Sequence, residues 1–248
     1  MSELQELKFK NIYGLADLID NSVKSDVMFS NYENDYFVKA AAHFSKNTLL
    51  HHYIVTTALN YYKRDFRKNW SVMDDEIDDM WYFLFDSYSI KIRKLNLRKD
   101  EKIIDWFNSN IKQFESLFTR MAEEVFYLLF SNREFLLNFN NVATETVRDT
   151  TFKEDQITLK GTIKRVNIPV WVKKAIFHRD KGRCVFCNKD LTGLVNTLSN
   201  LNYDHIMPLD LYGTNDPCNI QLTCEKCNKK KKNKKGITSN KYAPWWTK

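Results

Sequence analysis

Two C-x2-C pairs, Cys184-Val185-Phe186-Cys187 and Cys224-Glu225-Lys226-Cys227, stand 36 residues apart in this 248-residue chain. Each pair presents two thiolates on one tight turn, and the four together complete the tetrahedral sulfur shell that Zn²⁺ favours. A closed shell of this kind clasps a fold and performs no reaction, so any chemistry must come from other side chains. The fifth cysteine, Cys218, matches neither pair and is expected to be a plain thiol. Five cysteines, paired in this way behind a polar stretch from Met1 to Lys10, argue for metal ligation in a reducing compartment over disulfides. The expected location is the cytoplasm.

The charge is divided as unevenly as the cysteines. Residues 1–150 carry 19 basic and 23 acidic side chains, whereas residues 151–248 carry 19 basic and 8 acidic ones. That asymmetry is expected when one module meets a polyanion and the other does not. No run of apolar residues is long enough to cross a membrane, so a membrane partner is not expected.

Breakers are scarce in the first part: Gly14 is the only glycine before Gly161, and no proline precedes Pro169. Apolar residues recur at helical spacing, as in Ile103, Phe107, Ile111, Phe114, Phe118, Met121 and Val125, which predicts one long helix. Further helices are expected over 6–21, 35–67, 74–93 and 132–141, with the acidic run Asp74, Asp75, Glu76, Asp78, Asp79 at a helix start. His43, His51 and His52 sit among apolar helical residues and are assigned no chemistry. Threonines cluster between 144 and 158, Gln156 to Ile163 reads as a short strand, and Pro169 to Asp180 as a helix ending at Gly182. The expectation is an α+β chain: a helical domain over 1–150 and a smaller domain over 156–248.

Between the cysteine pairs lie Asp204-His205-Ile206-Met207-Pro208, then Gly213, then Asn219-Ile220-Gln221-Leu222-Thr223-Cys224, followed by Cys227-Asn228-Lys229-Lys230-Lys231. With Arg179-Asp180-Lys181-Gly182-Arg183 upstream, this stretch resembles the HNH endonucleases, whose ββα-metal fold sets a hairpin against one helix around a single divalent cation. Asn228 stands where the family more often has histidine, an HNN variant. The resemblance implies His205 as general base toward the attacking water, Asp204 and Asn228 as oxygen ligands of Mg²⁺ or Mn²⁺, and Asn219 as the residue that pins the loop and orients His205. It also implies hydrolysis of DNA, with RNA not excluded, and a setting such as restriction or phage defence. The helical domain would then bind a regulatory partner or form a homodimer.

Basic residues crowd this region. Lys226, Lys229, Lys230, Lys231, Lys232, Lys234 and Lys235 lie in or after the second knuckle, and Lys173, Lys174, Arg179, Lys181 and Arg183 precede the first. Such a cluster neutralises phosphates without reading bases. Lys231, three residues after Asn228, is expected on the same helical face, against the scissile phosphate. Trp245-Trp246 is expected to dock on the helical domain or stack on bases. The alternative to an enzyme is a zinc-stabilised module that binds nucleic acid without cutting it.

Overall fold

The computed structural model describes residues 6–27, 29, 34–68, 76–95, 102–193, 201–232 and 235–244. Asp74, Asp75, Lys234 and the Trp245-Trp246 pair lie outside the described residues. The fold is α+β: helices α1 (Ile12–Lys24), α2 (Asn34–Ala42), α3 (Leu49–Lys68), α4 (Glu76–Ser87), α5 (Ile103–Ser109), α6 (Ile111–Leu129), α7 (Arg133–Asp149), α8 (Val170–Arg179) and α9 (Glu225–Lys231), with strands β1 (Asn202–His205) and β2 (Ile220–Thr223). No described helix is long and apolar enough to cross a membrane.

Two of the expected helices are broken by capping. Asn110 interrupts the 103–126 stripe: its side-chain amide donates to the Trp106 carbonyl at 2.7 Å, while its own carbonyl accepts from Gln113 N and Phe114 N. One residue thereby closes α5 and opens α6. The 35–67 stretch breaks between α2 and α3, where the Leu49 amide donates to the carboxylate of Asp216 at 2.9 Å. The strand expected over 156–163 reduces to a single bridge, Ile157 to Ile163. Pro169 falls at the N-cap of α8, one position before the first helical residue, and Gly182 (φ +63°) follows the helix where a Cβ would strike Thr192 and Phe177.

The chain forms two compact units, residues 1–22 with 51–128 and residues 23–50 with 129–248. The first unit is cored by aromatic rings: Phe114 lies 4.6 to 5.3 Å from the ring centres of Phe107, Phe85, Trp81 and Trp106. Edge-on packing of this kind adds to the burial energy of each ring. Glu124, 3% exposed, accepts from Lys8 N, Phe9 N and Tyr88 Oη at 2.6 to 2.9 Å, so a buried carboxylate is fully bonded.

The second unit holds the hairpin. Strands β1 and β2 are antiparallel in the register Asn202 to Thr223, Tyr203 to Leu222, Asp204 to Gln221 and His205 to Ile220. Ile220 and Leu222 pack on Val172 and Ile176 of α8, beside Cys184 and Cys224. Helical segments from the first 150 residues complete this unit. Asn215 donates to the carbonyls of Ala41 (2.8 Å) and Ala42 (2.9 Å), and Asn140 of α7 donates to the Cys218 carbonyl at 3.0 Å. Cys218 is 0% exposed, with its sulfur 3.9 Å from Thr48 Oγ1.

Candidate metal centre and nuclease site

The sulfur atoms of Cys184, Cys187, Cys224 and Cys227 lie within 4.8 Å of one another. A tetrahedron with Zn–S bonds of about 2.3 Å has an edge of about 3.8 Å, and Cys187 Sγ stands 3.7 Å from Cys224 Sγ. Donor number, chemistry and spacing therefore fit one zinc ion. The clasp joins the turn after α8 to the start of α9, since Cys224 is the N-cap of that helix. Burial opposes ionisation of the Cys224 thiol, but the Cys227 amide and the neighbouring thiols outweigh it and bring the thiol down to about 7.

From this clasp the hairpin leads to Asp204 and His205. Side chains alternate along a strand, so Asn202 and Asp204 share one face of β1 while Tyr203 and His205 share the other with Ile220 and Leu222. On the first face, α9 sets its own i, i+3 pair against the strand. Asn228 Nδ2 lies 3.5 Å from Asn202 Oδ1, and Lys231 Nζ lies 2.8 Å from Asp204 Oδ2 while also donating to the His205 carbonyl. Gln221 Nε2 donates to the same Asp204 oxygen at 3.1 Å. Asp204 and Asn228 thus meet one strand face from opposite elements. Their side chains carry a carboxylate and an amide oxygen, donor types that suit a hard divalent ion, but the carboxylate is here engaged by the Lys231 ammonium and Asn228 by Asn202.

His205 is placed differently. Its ring is 2% exposed, and neither nitrogen meets hydrogen-bond geometry with a described group. Burial first, then the positive charge of Arg165 and, more weakly, that of Lys231 lower its pKa to about 3 against an opposing pull from the Asn215 side chain, so the ring is neutral at physiological pH. A buried imidazole without a bonded partner is costly, and such groups concentrate at working sites.

Asn219, 0% exposed, is spent on the loop between the strands. Its Oδ1 accepts from Met207 N at 2.7 Å, and its Nδ2 donates to the carbonyls of Met207 and Thr214 at 2.9 Å each. Gly213 is needed there because a Cβ would sit 2.1 Å from the Met207 carbonyl oxygen.

The basic residues divide into several kinds. Lys181, Lys230 and Lys232 are exposed, and Arg183 is half-exposed and paired with Asp190 at 3.2 Å. Lys229 pairs with Glu225. Lys231, expected to face phosphate, has a side chain only 3% exposed and is held by Asp204. Arg179, counted by sequence among the phosphate contacts, has a side chain only 2% exposed and forks onto Asp180 at 3.0 and 2.9 Å. That pair staples α8 to β2, because Arg179 donates to the Ile220 carbonyl and Asp180 accepts from Leu222 N. His51 stacks on Phe126 at 4.1 Å, in keeping with a packing role. Sequence reasoning passed over Gln221, Asn215 and Asp216; the Asp216 carboxylate caps both Leu49 and Cys218.

No curated protein and no solved structure matches the chain. Residues 184–234 match the family model described as HNH endonuclease, a span that begins at the first zinc cysteine and runs past α9. Across that span, where the cysteine clasp, the hairpin and the Asp204-His205 pair are assembled, the chain carries a domain of the HNH endonuclease family.

Proposed function

We propose that the chain is a metal-dependent endonuclease that hydrolyses DNA phosphodiester bonds. The observation that carries this reading is the buried imidazole of His205, next in β1 to the Asp204 carboxylate on a hairpin whose second strand runs into the four-cysteine clasp. Once uncovered from the burial that holds its pKa down, the His205 imidazole would recover the basicity to take a proton from the water that attacks phosphorus. Asp204 and Asn228 would hold Mg²⁺ or Mn²⁺, which when bound would neutralise charge building on the phosphate. Asn219 would act as a positioning residue, fixing the loop that follows His205. Because the ring is 2% exposed, engagement of nucleic acid has to uncover it.

The division of labour would place the chemistry in residues 156–248, with residues 1–150 binding a regulatory partner or a second copy. Restriction or phage defence is the biological setting the resemblance suggests. A non-cutting nucleic-acid-binding module is the second reading, favoured by one observation: Lys231 already neutralises Asp204. Supercoiled plasmid incubated with the zinc-loaded protein, with and without Mg²⁺, separates the two. The nuclease reading requires Mg²⁺-dependent nicking or linearisation that His205→Ala abolishes while DNA binding is retained. The binder reading requires no metal-dependent cleavage by the parent protein.

A further inference from the structure

Arg133 is the first residue of α7 and is 6% exposed. Its backbone amide donates to Tyr242 Oη at 2.9 Å, its Nη2 donates to the Lys241 carbonyl at 2.6 Å, and its guanidinium lies 4.1 Å from the centre of the Tyr242 ring. No carboxylate among the described residues pairs with it, and its buried Nε has no acceptor. A buried cation without a counter-ion is expensive. It is more so here, because the start of a helix already carries positive charge.

Arg179 shares the same cleft. It spends Nε and Nη2 on Asp180 and on the Ile220 carbonyl, yet its Nη1 is buried without an acceptor. Lys181, Arg183, Lys241 and Tyr242 complete the lining of a cavity of about 640 Å³. The one carboxylate in the wall, Asp180, is consumed by Arg179 and by Leu222 N. Two guanidinium groups with unsatisfied buried donors thus stand behind the wall of a cleft whose accessible side chains, Lys181, Arg183 and Lys241, leave it an excess of positive charge, which is the chemistry of an anion site that takes tetrahedral oxyanions.

We propose that this cleft is a phosphate site and that it takes a backbone phosphate of a nucleic-acid strand. The choice of a strand over a free nucleotide rests on three features. The rim is exposed, with Tyr242 at 55% beside Lys181 and Lys241, as on surfaces that track a backbone past an aromatic ring. The cleft borders the first zinc knuckle through Arg183 and Cys184. Arg179 also ties its wall to Ile220, the residue opposite His205 in the hairpin. The inference deepens the nucleic-acid reading above but does not depend on cleavage.

The test is fluorescence anisotropy of a labelled duplex titrated with the full zinc-loaded chain, without Mg²⁺, over a series of salt concentrations. Lys181→Glu/Lys241→Glu is compared with Lys153→Glu/Lys160→Glu, which makes the same charge change at exposed lysines elsewhere. The cleft variant is expected to bind about tenfold more weakly or worse, with a salt slope smaller by about one to two, and the control to change less than about threefold. Arg133→Met should show the same loss with zinc content unchanged; if it does not fold, the lysine pair still decides. Equal losses in cleft and control variants would overturn the proposal. In a second arm, inorganic phosphate and adenosine monophosphate are titrated calorimetrically. Binding tighter than about 100 μM, together with equal DNA affinity in parent and cleft variant, would assign the cleft to a free nucleotide and overturn the strand assignment. A parent that binds DNA in the cleft but never cuts would sink the nuclease reading alone.

Discussion

Lys231 Nζ stands 2.8 Å from Asp204 Oδ2, with side-chain exposures of 3% and 15%. This ammonium occupies the carboxylate that the nuclease reading reserves for a divalent cation. Removing it as Lys231→Met leaves Asp204 unpaired, and loss of one partner of a mostly buried pair costs roughly 3 kcal/mol. Thermal unfolding should show a clear fall in Tm, partly recovered in Lys231→Met/Asp204→Asn. Adding Mg²⁺ should raise the Tm of Lys231→Met more than that of the parent, because the ion then enters without displacing an ammonium. Equal shifts in both proteins would mean that Asp204 holds no metal.

The sulfur clasp should be required for the hairpin to fold. Metal analysis should give one zinc per chain for the parent and none for Cys187→Ser, since three ligands bind far less tightly than four. Loss of zinc should be accompanied by cooperative loss of near-ultraviolet ellipticity. A Cys187→Ser chain that melts as the parent does would show that the clasp is not structural.

Asn219→Ala removes three side-chain bonds and strands Met207 N, Met207 O and Thr214 O in a site with no exposure. At about 1 kcal/mol or more for each buried group left unbonded, the destabilisation should reach roughly 3 kcal/mol in urea unfolding. Asn219→Asp should recover the Met207 N bond alone.

Mild acid should weaken the fold through its buried histidines. Burial lowers His51 and His52 to about 4 and His205 to about 3. Below pH 6.5 the unfolded chain takes up protons that these folded rings refuse, so stability falls as pH drops from about 6.5 toward 4. Asp216 works in the opposite sense. Burial raises its carboxyl to about 6, so the folded chain holds a proton between pH 6 and 4 that the unfolded chain releases, which offsets part of the loss. Melting curves at pH 7, 5.5 and 4.5 should show Tm falling by several degrees, and His51→Gln/His52→Gln should flatten the trend.

A fragment of residues 156–248 should not hold the hairpin on its own. Within their compact unit, Asn215 needs the carbonyls of Ala41 and Ala42, Asp216 the Leu49 amide, and the Cys218 carbonyl the side chain of Asn140. Expressed alone, the fragment should bind zinc yet exchange its amide hydrogens quickly; slow exchange in β1 and β2 would refute this.

These contacts also explain what the sequence made legible. The cysteine clasp is local, written within some forty residues, and spacing alone exposes it, whereas the loop role of Asn219 comes from the family resemblance of the surrounding motif. The face shared by Asn228 and Lys231 follows from helical periodicity, but the partner of Lys231 does not, because β1 lies 26 residues away and pairing across that gap is set by packing. The breaks at Asn110 and before Leu49 are of two sorts. An asparagine inside an apolar stripe is a readable signal, whereas a cap supplied by Asp216, 167 residues distant, is not. Nothing in the sequence singles out Arg133, since only the folded chain shows that no described carboxylate pairs with it.

The bond from Asn215 to Ala42 spans 173 residues. A ribosome adding roughly 5–20 residues per second leaves α2 waiting about 10 to 35 seconds for that partner to emerge. During synthesis the Ala41 and Ala42 carbonyls lack the Asn215 donors, and the loop behind His205 cannot settle until residue 215 has left the exit tunnel. The hairpin loop is therefore completed by a contact that forms only after residue 215 has been made.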